Sequence, residues 1–388
     1  MGLSVGIVGL PNVGKSTLFN ALLKKQASFA EASASQAGLA KVANFPFTTI
    51  EPNIGVVPVS DERLERLADV VAGISTSGES KATPEVSDRP PIVQATVEFL
   101  DIAGLIAGAH KGEGLGNKFL AHIREVDAIC HVVRAFSDPD IIKEGTVDPR
   151  TDLEIVETEL KLADFQTLEK QKDPGNTPDK ELKKRWEVVI KLKGGIQKGI
   201  PAREITLSEE EAKIAKELTL LTSKPILVTL NVEEKDLVNA ENLEEDYAKN
   251  TSLSKEQIVT ICAKTEAELA ELTPSDQKEY LENLGVKNSG LERLIKKAFS
   301  TLGLITFLTA GEKEVRAWTI SRGISALTAS GVIHTDFMDK FIKADIVSFK
   351  DFVDFGGWKN AREEGKVRSE GRDYIMKDGD VVEFRTGS

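Results

Sequence analysis

The stretch LSVGIVGLPNVGKSTLFNALLKK, residues 3–25, leaves the chain few folds to choose from. Residues 3–8 form the short, continuous apolar run of a strand buried on both faces. Residues 9–14 form a glycine-rich turn, and STLFNALLKK reads as a helix. The turn matches G-x-x-x-x-G-K-S in full, from Gly9 to Ser16. Glycines in such a turn let backbone N–H groups close around a β-phosphate. Lys15 then supplies a cation for the β/γ oxygens, and Ser16 a hydroxyl for Mg2+. Gly9, Pro11, Asn12, Val13, Gly14, Lys15, Ser16 and Thr17 are therefore candidate residues for a nucleoside triphosphate.

Further buried-strand candidates are ATVEFLDIAG (95–104), AICHVVRAF (128–136), KPILVTLN (224–231) and EQIVTICAK (256–264), with helical patterns between most of them. This alternation predicts an α/β domain with a mainly parallel sheet. The gap between Phe136 and Pro225 is too long for one crossover. Leu153, Val156, Leu160 and Ala163 recur at helical spacing, PGNTPD breaks the pattern, and Leu182, Trp186, Val189 and Ile190 resume it. An inserted helical hairpin follows, and Ser208 with Glu211 has the spacing of a capping box opening the next helix. After about residue 304 the strands LITFLTAG, EVRAWTIS and DYIMKDGDVVEFR mark a small β-rich domain, with Asp378-Gly379 as a hairpin-turn signal. The expected organisation is a nucleotide-binding domain over 1–136, the hairpin over 137–204, the rest of the nucleotide domain over 205–303, and the β-rich domain over 304–388.

Composition removes several alternatives. With 40% hydrophobic and 29% charged residues, disorder is not expected of the 388-residue chain. Cys130 and Cys262 are the only cysteines, which gives no basis for a disulfide framework or metal cluster and fits a reducing cytosol. No apolar run approaches the roughly 20 residues of a membrane helix. A net charge of −12 argues against indiscriminate adhesion to nucleic acid, and no zinc-finger, RRM or KH signature points to sequence-specific DNA or RNA reading.

Asp101-Ile102-Ala103-Gly104 closes the strand after ATVEF, where this class of NTPase keeps an acidic residue for the Mg2+ shell and a glycine whose N–H meets the γ-phosphate. Between Lys15 and Asp101, NFPFTTIEPN offers Thr49, or alternatively Thr48, as a further Mg2+ hydroxyl. Taken together, GLPNVGKSTLFNALL, NFPFTTIEPNIGVV, DIAGLIAGAHKGEGLGNKFLAHIREVDAI and TLNVEE closely resemble the Obg-like ATPase (YchF) family, in the Obg branch of translation-factor GTPases. The resemblance runs over nearly the whole chain. It implies that the C-terminal segment is a TGS domain of ubiquitin-like β-grasp fold. It also implies a cytoplasmic ATPase linked to ribosomes, translation and stress responses.

The residue after D-x-x-G, a water-positioning glutamine in many signalling GTPases, is Leu105 here, so slow intrinsic turnover is expected. His110, in the loop GAHKGEGLG, is the nearest titratable candidate for orienting water. Asn12 offers another route, since related N-x-G-K-S loops can hold K+ beside the nucleotide, where it would stabilise transition-state charge. The base is read at the end of KPILVTLN. Guanine-specific relatives carry N-K-x-D there, whereas this chain has Asn231-Val232-Glu233-Glu234. The lysine stem is lost and the carboxylate is one methylene longer, so adenine is expected. Asn231 and nearby backbone would meet the adenine edge, Val232 would lie against the base, and Glu234 would no longer select guanine.

Lys180, Lys183, Lys184, Arg185, Lys191, Lys193, Lys198 and Arg203 outnumber Glu181, Glu187 and Glu204 along the second hairpin arm and its exit. That arm, with the TGS domain, is the expected contact for ribosomal RNA or tRNA. The leading expectation is an Mg2+-dependent ATP hydrolase whose nucleotide state gates ribosome docking. A GTPase switch of the same fold and a nucleotide-dependent scaffold with incidental hydrolysis are the alternatives.

Overall fold

The computed structural model describes residues 3–36, 54–74, 89–102, 115–136 and 148–387. In chain order its strands are β1 (Ser4–Val8), β2 (Ile54–Pro58), β3 (Ile92–Val93), β4 (Thr96–Asp101), β5 (Ala128–Arg134), β6 (Ile226–Asn231), β7 (Ile258–Ile261), β8 (Leu304–Ala310), β9 (Val315–Ser321), β10 (Phe341–Ser348), β11 (Arg368–Glu370) and β12 (Asp380–Thr386). The helices that matter here are α1 (Lys15–Gln36), α2 (Glu62–Val71), α3 (Leu115–Glu125), α4 (Pro149–Glu169), α5 (Lys180–Gln197), α6 (Glu209–Glu217), α7 (Ala240–Lys249), α8 (Ala263–Leu269), α9 (Pro274–Asn283), α10 (Gly290–Thr301) and α11 (Ala326–Ile333). The chain divides into two compact units, one of residues 1–25, 49–56 and 98–302, the other of 26–48, 57–97 and 303–388.

The first unit is built on a sheet of order β2-β4-β1-β5-β6-β7. Pairing is parallel from β4 across to β7. Every residue of β1, β5, β6 and β7 is buried, which is why these strands read as unbroken apolar runs rather than alternating ones. Leu18 and Leu22 of α1 are fully buried, whereas Phe119, Leu120 and Ile123 of α3 and Leu153, Val156 and Leu160 of α4 share one core cluster with Val8, Ile129, Val133 and Val228.

The inserted hairpin is present as α4 and α5, with a second core where Leu168 of α4 meets Val188, Val189, Leu192 and Ile196 of α5. The buried face of α5 is rotated from the one expected. Leu182 and Ile190 are 48% and 55% exposed, because Val188 and Leu192 take the inward positions. Asp164, buried on α4, accepts the Leu221 and Thr222 N–H groups at 2.7 and 2.8 Å and the Thr222 hydroxyl at 2.6 Å, tying the insertion to the turn that enters β6. The capping box of Ser208 and Glu211 opens α6 as the spacing predicts.

In the second unit the order is β11-β10-β12-β8-β9-β3. An antiparallel hairpin β8–β9 precedes α11, β10 pairs antiparallel with β11 and β12, and β12 lies parallel beside β8. This is the β-grasp arrangement expected of the C-terminal segment. Two features depart from the sequence reading. Asp378-Gly379 is not a hairpin turn: β12 begins at Asp380 and its antiparallel partner is β10. The Asp378 carboxylate instead accepts the Thr306 N–H at 2.9 Å and an Arg63 N–H at 2.8 Å. Residues 57–97, expected within the nucleotide domain, group with the C-terminal strands: β3 pairs parallel with β9, and Arg63 of α2 also donates to the Thr306 hydroxyl at 2.9 Å.

Candidate functional site

The phosphate loop runs from the end of β1 into α1. The Leu18 N–H donates to the Gly14 carbonyl at 3.0 Å, so the loop passes straight into a helix whose first amides have no partner inside the helix. Two glycines are required here. Gly14 has φ 96°, and a Cβ there would run into Asn231 Nδ2. Gly9 packs so closely that a Cβ would strike the Val132 carbonyl oxygen. Asn12 is held at φ 61°, a left-handed conformation that asparagine tolerates better than most residues.

Lys15 is 9% exposed, and its Nζ donates to the Leu10 carbonyl at 2.7 Å, curling back over its own loop. Burial lowers its pKa, with Asp101 opposing that shift. Asp101 ends β4 opposite Ile7 of β1. Burial raises its carboxyl pKa and Lys15 acts in the other sense, while its Oδ1 is buried without a hydrogen-bond partner among the described residues. Pro11, Ser16 and Thr17 are exposed on the loop and first turn, and Val13 is buried beneath it. Gly104, Leu105, His110, Thr48 and Thr49 lie outside the described residues.

At the strand end expected to read the base, Asn231 is 4% exposed, its Nδ2 donates to the Val13 carbonyl at 2.9 Å and its Oδ1 accepts the Ala263 N–H at 2.9 Å. Its amide thus joins the phosphate loop to the start of α8. Val232 is also 4% exposed, belongs to the same core cluster as Leu230 and Leu237, and donates its N–H to the Ile261 carbonyl at 2.8 Å. Its side chain faces the core. Glu234 is exposed, and its Oε2 accepts the Thr265 hydroxyl at 3.1 Å and the Tyr280 hydroxyl at 3.3 Å.

Three of these residues, Ala263, Thr265 and Tyr280, are not singled out by the sequence. The register signals Ala263, because Asn231 pairs with Ile261 at the end of β7, two residues before Ala263 opens α8. Nothing comparable signals Tyr280. His131, read as an ordinary strand residue, is fully buried on β5 opposite Val8, with neither ring nitrogen bonded among the described residues. Burial, reinforced by Lys15, drives its pKa down to about 3, so it is a neutral imidazole.

The basic hairpin arm is largely paired within the chain. Lys184 pairs with Glu210, Arg185 with Glu217, Lys191 with Glu211 at 2.8 Å, Lys193 with Glu169 at 3.5 Å and Arg203 with Glu157. Only Lys180, Lys183 and Lys198 of the expected set carry no ion pair among the described residues. The sequence reading counted the glutamates within the arm, whereas three of the five partners lie on α6.

Comparison with known proteins agrees with this geometry. Residues 4–173 match the family model of the 50S ribosome-binding GTPases, and residues 304–387 match the YchF-GTPase C-terminal model, described as a protein of unknown function. A Bacillus subtilis (strain 168) protein called Ribosome-binding ATPase YchF is 45% identical over 395 residues, covering 99% of each chain. An Escherichia coli O157:H7 protein of the same name is 44% identical over 394 residues, again covering 99% of each. The solved structure of the Schizosaccharomyces pombe YchF GTPase superposes with a TM-score of 0.80 at 34% identity, covering 99% of this chain and 98% of that one. A match of this identity, continuous through the phosphate loop, the hairpin and the β-grasp unit, assigns the family: the chain belongs to the YchF family.

Proposed function

We propose that this chain is a ribosome-binding ATPase that binds and hydrolyses ATP in preference to GTP, its nucleotide state gating association with the ribosome. The activity named for its relatives carries over through near-complete alignment and an intact Gly9–Ser16 phosphate loop. The observation that supports adenine is the strand end. Where guanine-specific proteins place a lysine stem along the base, the chain has Val232, turned into the core, and the longer Glu234 carboxylate is tied to Thr265 and Tyr280.

A hard divalent cation suits the residues present, since the buried Asp101 Oδ1 has no partner among the described residues and Ser16 presents a hydroxyl on the first turn of α1. Ser16 and Asp101, with Thr49, would hold Mg2+. When bound, that ion neutralises phosphate charge. Around it Lys15 would leave the Leu10 carbonyl for the β/γ oxygens, the α1 amides would bind phosphate, Gly104 would meet the γ-phosphate and His110 would orient the attacking water. Asn12 would help hold K+ if that ion takes part.

The hairpin and the β-grasp unit are the proposed contacts with ribosomal RNA or tRNA. A cytoplasmic location fits a ribosome partner, and among the described residues no helix is long and apolar enough to cross a membrane. Direct competition between ATP and GTP in Mg2+, measured by calorimetry, tests the reading. Tighter ATP binding is expected, and a preference for GTP would favour the switch reading that the Schizosaccharomyces pombe protein's name carries.

A further inference from the structure

The basic run of α5 faces an acidic run on α6. Lys184 meets Glu210, Arg185 meets Glu217, and Lys191 Nζ meets both carboxylate oxygens of Glu211, at 2.8 and 2.9 Å. α6 buries none of its own residues and touches the hairpin core only through the partly buried Ile214 and Ala215. The paired side chains are 29–72% exposed, a setting in which solvent screening leaves each ion pair only weakly stabilising. A helix held by such contacts, whose buried anchor is confined to the Leu218 cap at its C-terminal end, opens locally at low cost, most readily from its N-terminal end. Lys180 lies one turn before Lys184 on α5 and has no ion pair among the described residues, so the basic face extends beyond the part that α6 covers.

We propose that the α5 face of Lys180, Lys184, Arg185 and Lys191 is a docking surface for the phosphate backbone of RNA, and that α6 is its exchangeable acidic cover. The proposal rests on the reading of the hairpin as an RNA contact. Carboxylate and phosphate oxygens make the same charge-assisted bonds to lysine and arginine, so Glu210, Glu211 and Glu217 stand where three phosphates would. RNA brings a denser line of charge and releases its own condensed counterions on binding, which drives the exchange. Bound RNA and a closed α6 therefore exclude each other. In a strongly acidic protein the cover also masks a basic surface until a polyanion of high charge density is present.

The test uses the full chain, a fluorescently labelled polyuridylate oligonucleotide, and anisotropy measured across a salt series. Glu210→Gln/Glu211→Gln/Glu217→Gln removes the cover's charge while glutamine at 211 keeps the capping box. It should bind the oligonucleotide about tenfold more tightly at low salt, and its salt dependence should steepen by up to about 0.7 for every further phosphate neutralised. Lys184→Gln/Arg185→Gln/Lys191→Gln should bind more weakly than the parent. If the α5 variant weakens binding but the α6 variant does not tighten it, the cover is overturned while the RNA reading stands. If the α5 variant binds like the parent, the RNA reading falls and takes the cover with it. Amide exchange over residues 209–217 gives a second readout on the unaltered protein. Faster exchange on adding the oligonucleotide supports displacement, and unchanged or slower exchange refutes it.

Discussion

Asn231 anchors the phosphate loop from the end of β6, its Nδ2 donating to the Val13 carbonyl at 2.9 Å while its Oδ1 takes the Ala263 N–H at the same distance. Both ends of one buried amide are therefore spent on geometry. Asn231→Ala should weaken ATP and GTP binding together and lower stability by about 1–3 kcal/mol, since it leaves a buried carbonyl and a buried N–H unpaired. Calorimetry with each nucleotide and urea unfolding measure the two effects. A loss confined to ATP would return Asn231 to direct base reading.

Lys15→Ala should abolish detectable ATP binding without lowering the melting temperature of the nucleotide-free protein. Burial disfavours the ammonium, with Asp101 offsetting part of that cost, so the charge is kept for the ligand and not for the fold. Unchanged ATP affinity would refute the phosphate-loop assignment, and a large drop in melting temperature would make Lys15 structural.

His131 should make the protein acid-sensitive. Its pKa is about 3 in the folded chain against 6.5 ordinarily, so the unfolded chain binds the extra proton first. The stabilisation from keeping it neutral is complete above pH 6.5 and is lost as pH falls towards 3, at up to about 1.4 kcal/mol per pH unit. Urea unfolding of the parent and of His131→Leu between those limits should diverge by this slope, with the parent losing stability faster. Parallel curves would mean that His131 is protonated in the fold.

Val232→Lys should cost stability before it changes the choice of base. At 4% exposure within a packed cluster, a lysine must either bury its ammonium or push the strand end outward, a loss of several kcal/mol. Thermal unfolding of this variant checks the burial, and Glu234→Asp alone, which leaves the core intact, is the cleaner variant for ATP/GTP competition.

Turnover should fall in His110→Ala with ATP affinity nearly retained, if the imidazole acts only in the transition state. Replacing Na+ by K+ should raise the rate if Asn12 helps to hold a monovalent ion. Single-turnover hydrolysis reads both, and equal rates in either comparison remove the corresponding role.

The strands of the first unit were legible because both faces of each are buried, which turns β1, β5, β6 and β7 into plain apolar words. The hairpin was legible from helical spacing, although Leu182 and Ile190 show that spacing alone does not fix which flank turns inward. What escaped is what depends on distant partners. Ile92 and Val93 are too few to show a period and become a strand only by pairing with Val315 and Arg316. Asn231 was found by position, but its role depends on Val13 and Ala263, far away in the chain. The basic arm of α5 looked free because its counter-charges lie on the next helix.

The placement of α2 has a consequence for how the chain can be divided. Leu64, Leu67 and Ala68 are fully buried, Arg63 is clasped by Asp378 and Thr306, and all of these belong to the unit that ends the chain. Described residues of the second unit lie both upstream of residue 98 and after residue 302. A stop codon after residue 302 would thus not excise a module. It would strip the partner strands from a helix encoded upstream, leaving bare an oily stripe that lies in sequence between the phosphate loop and Asp101. Truncated forms should aggregate for that reason alone, and any loss of ribosome binding in them would say nothing about what the missing strands recognise.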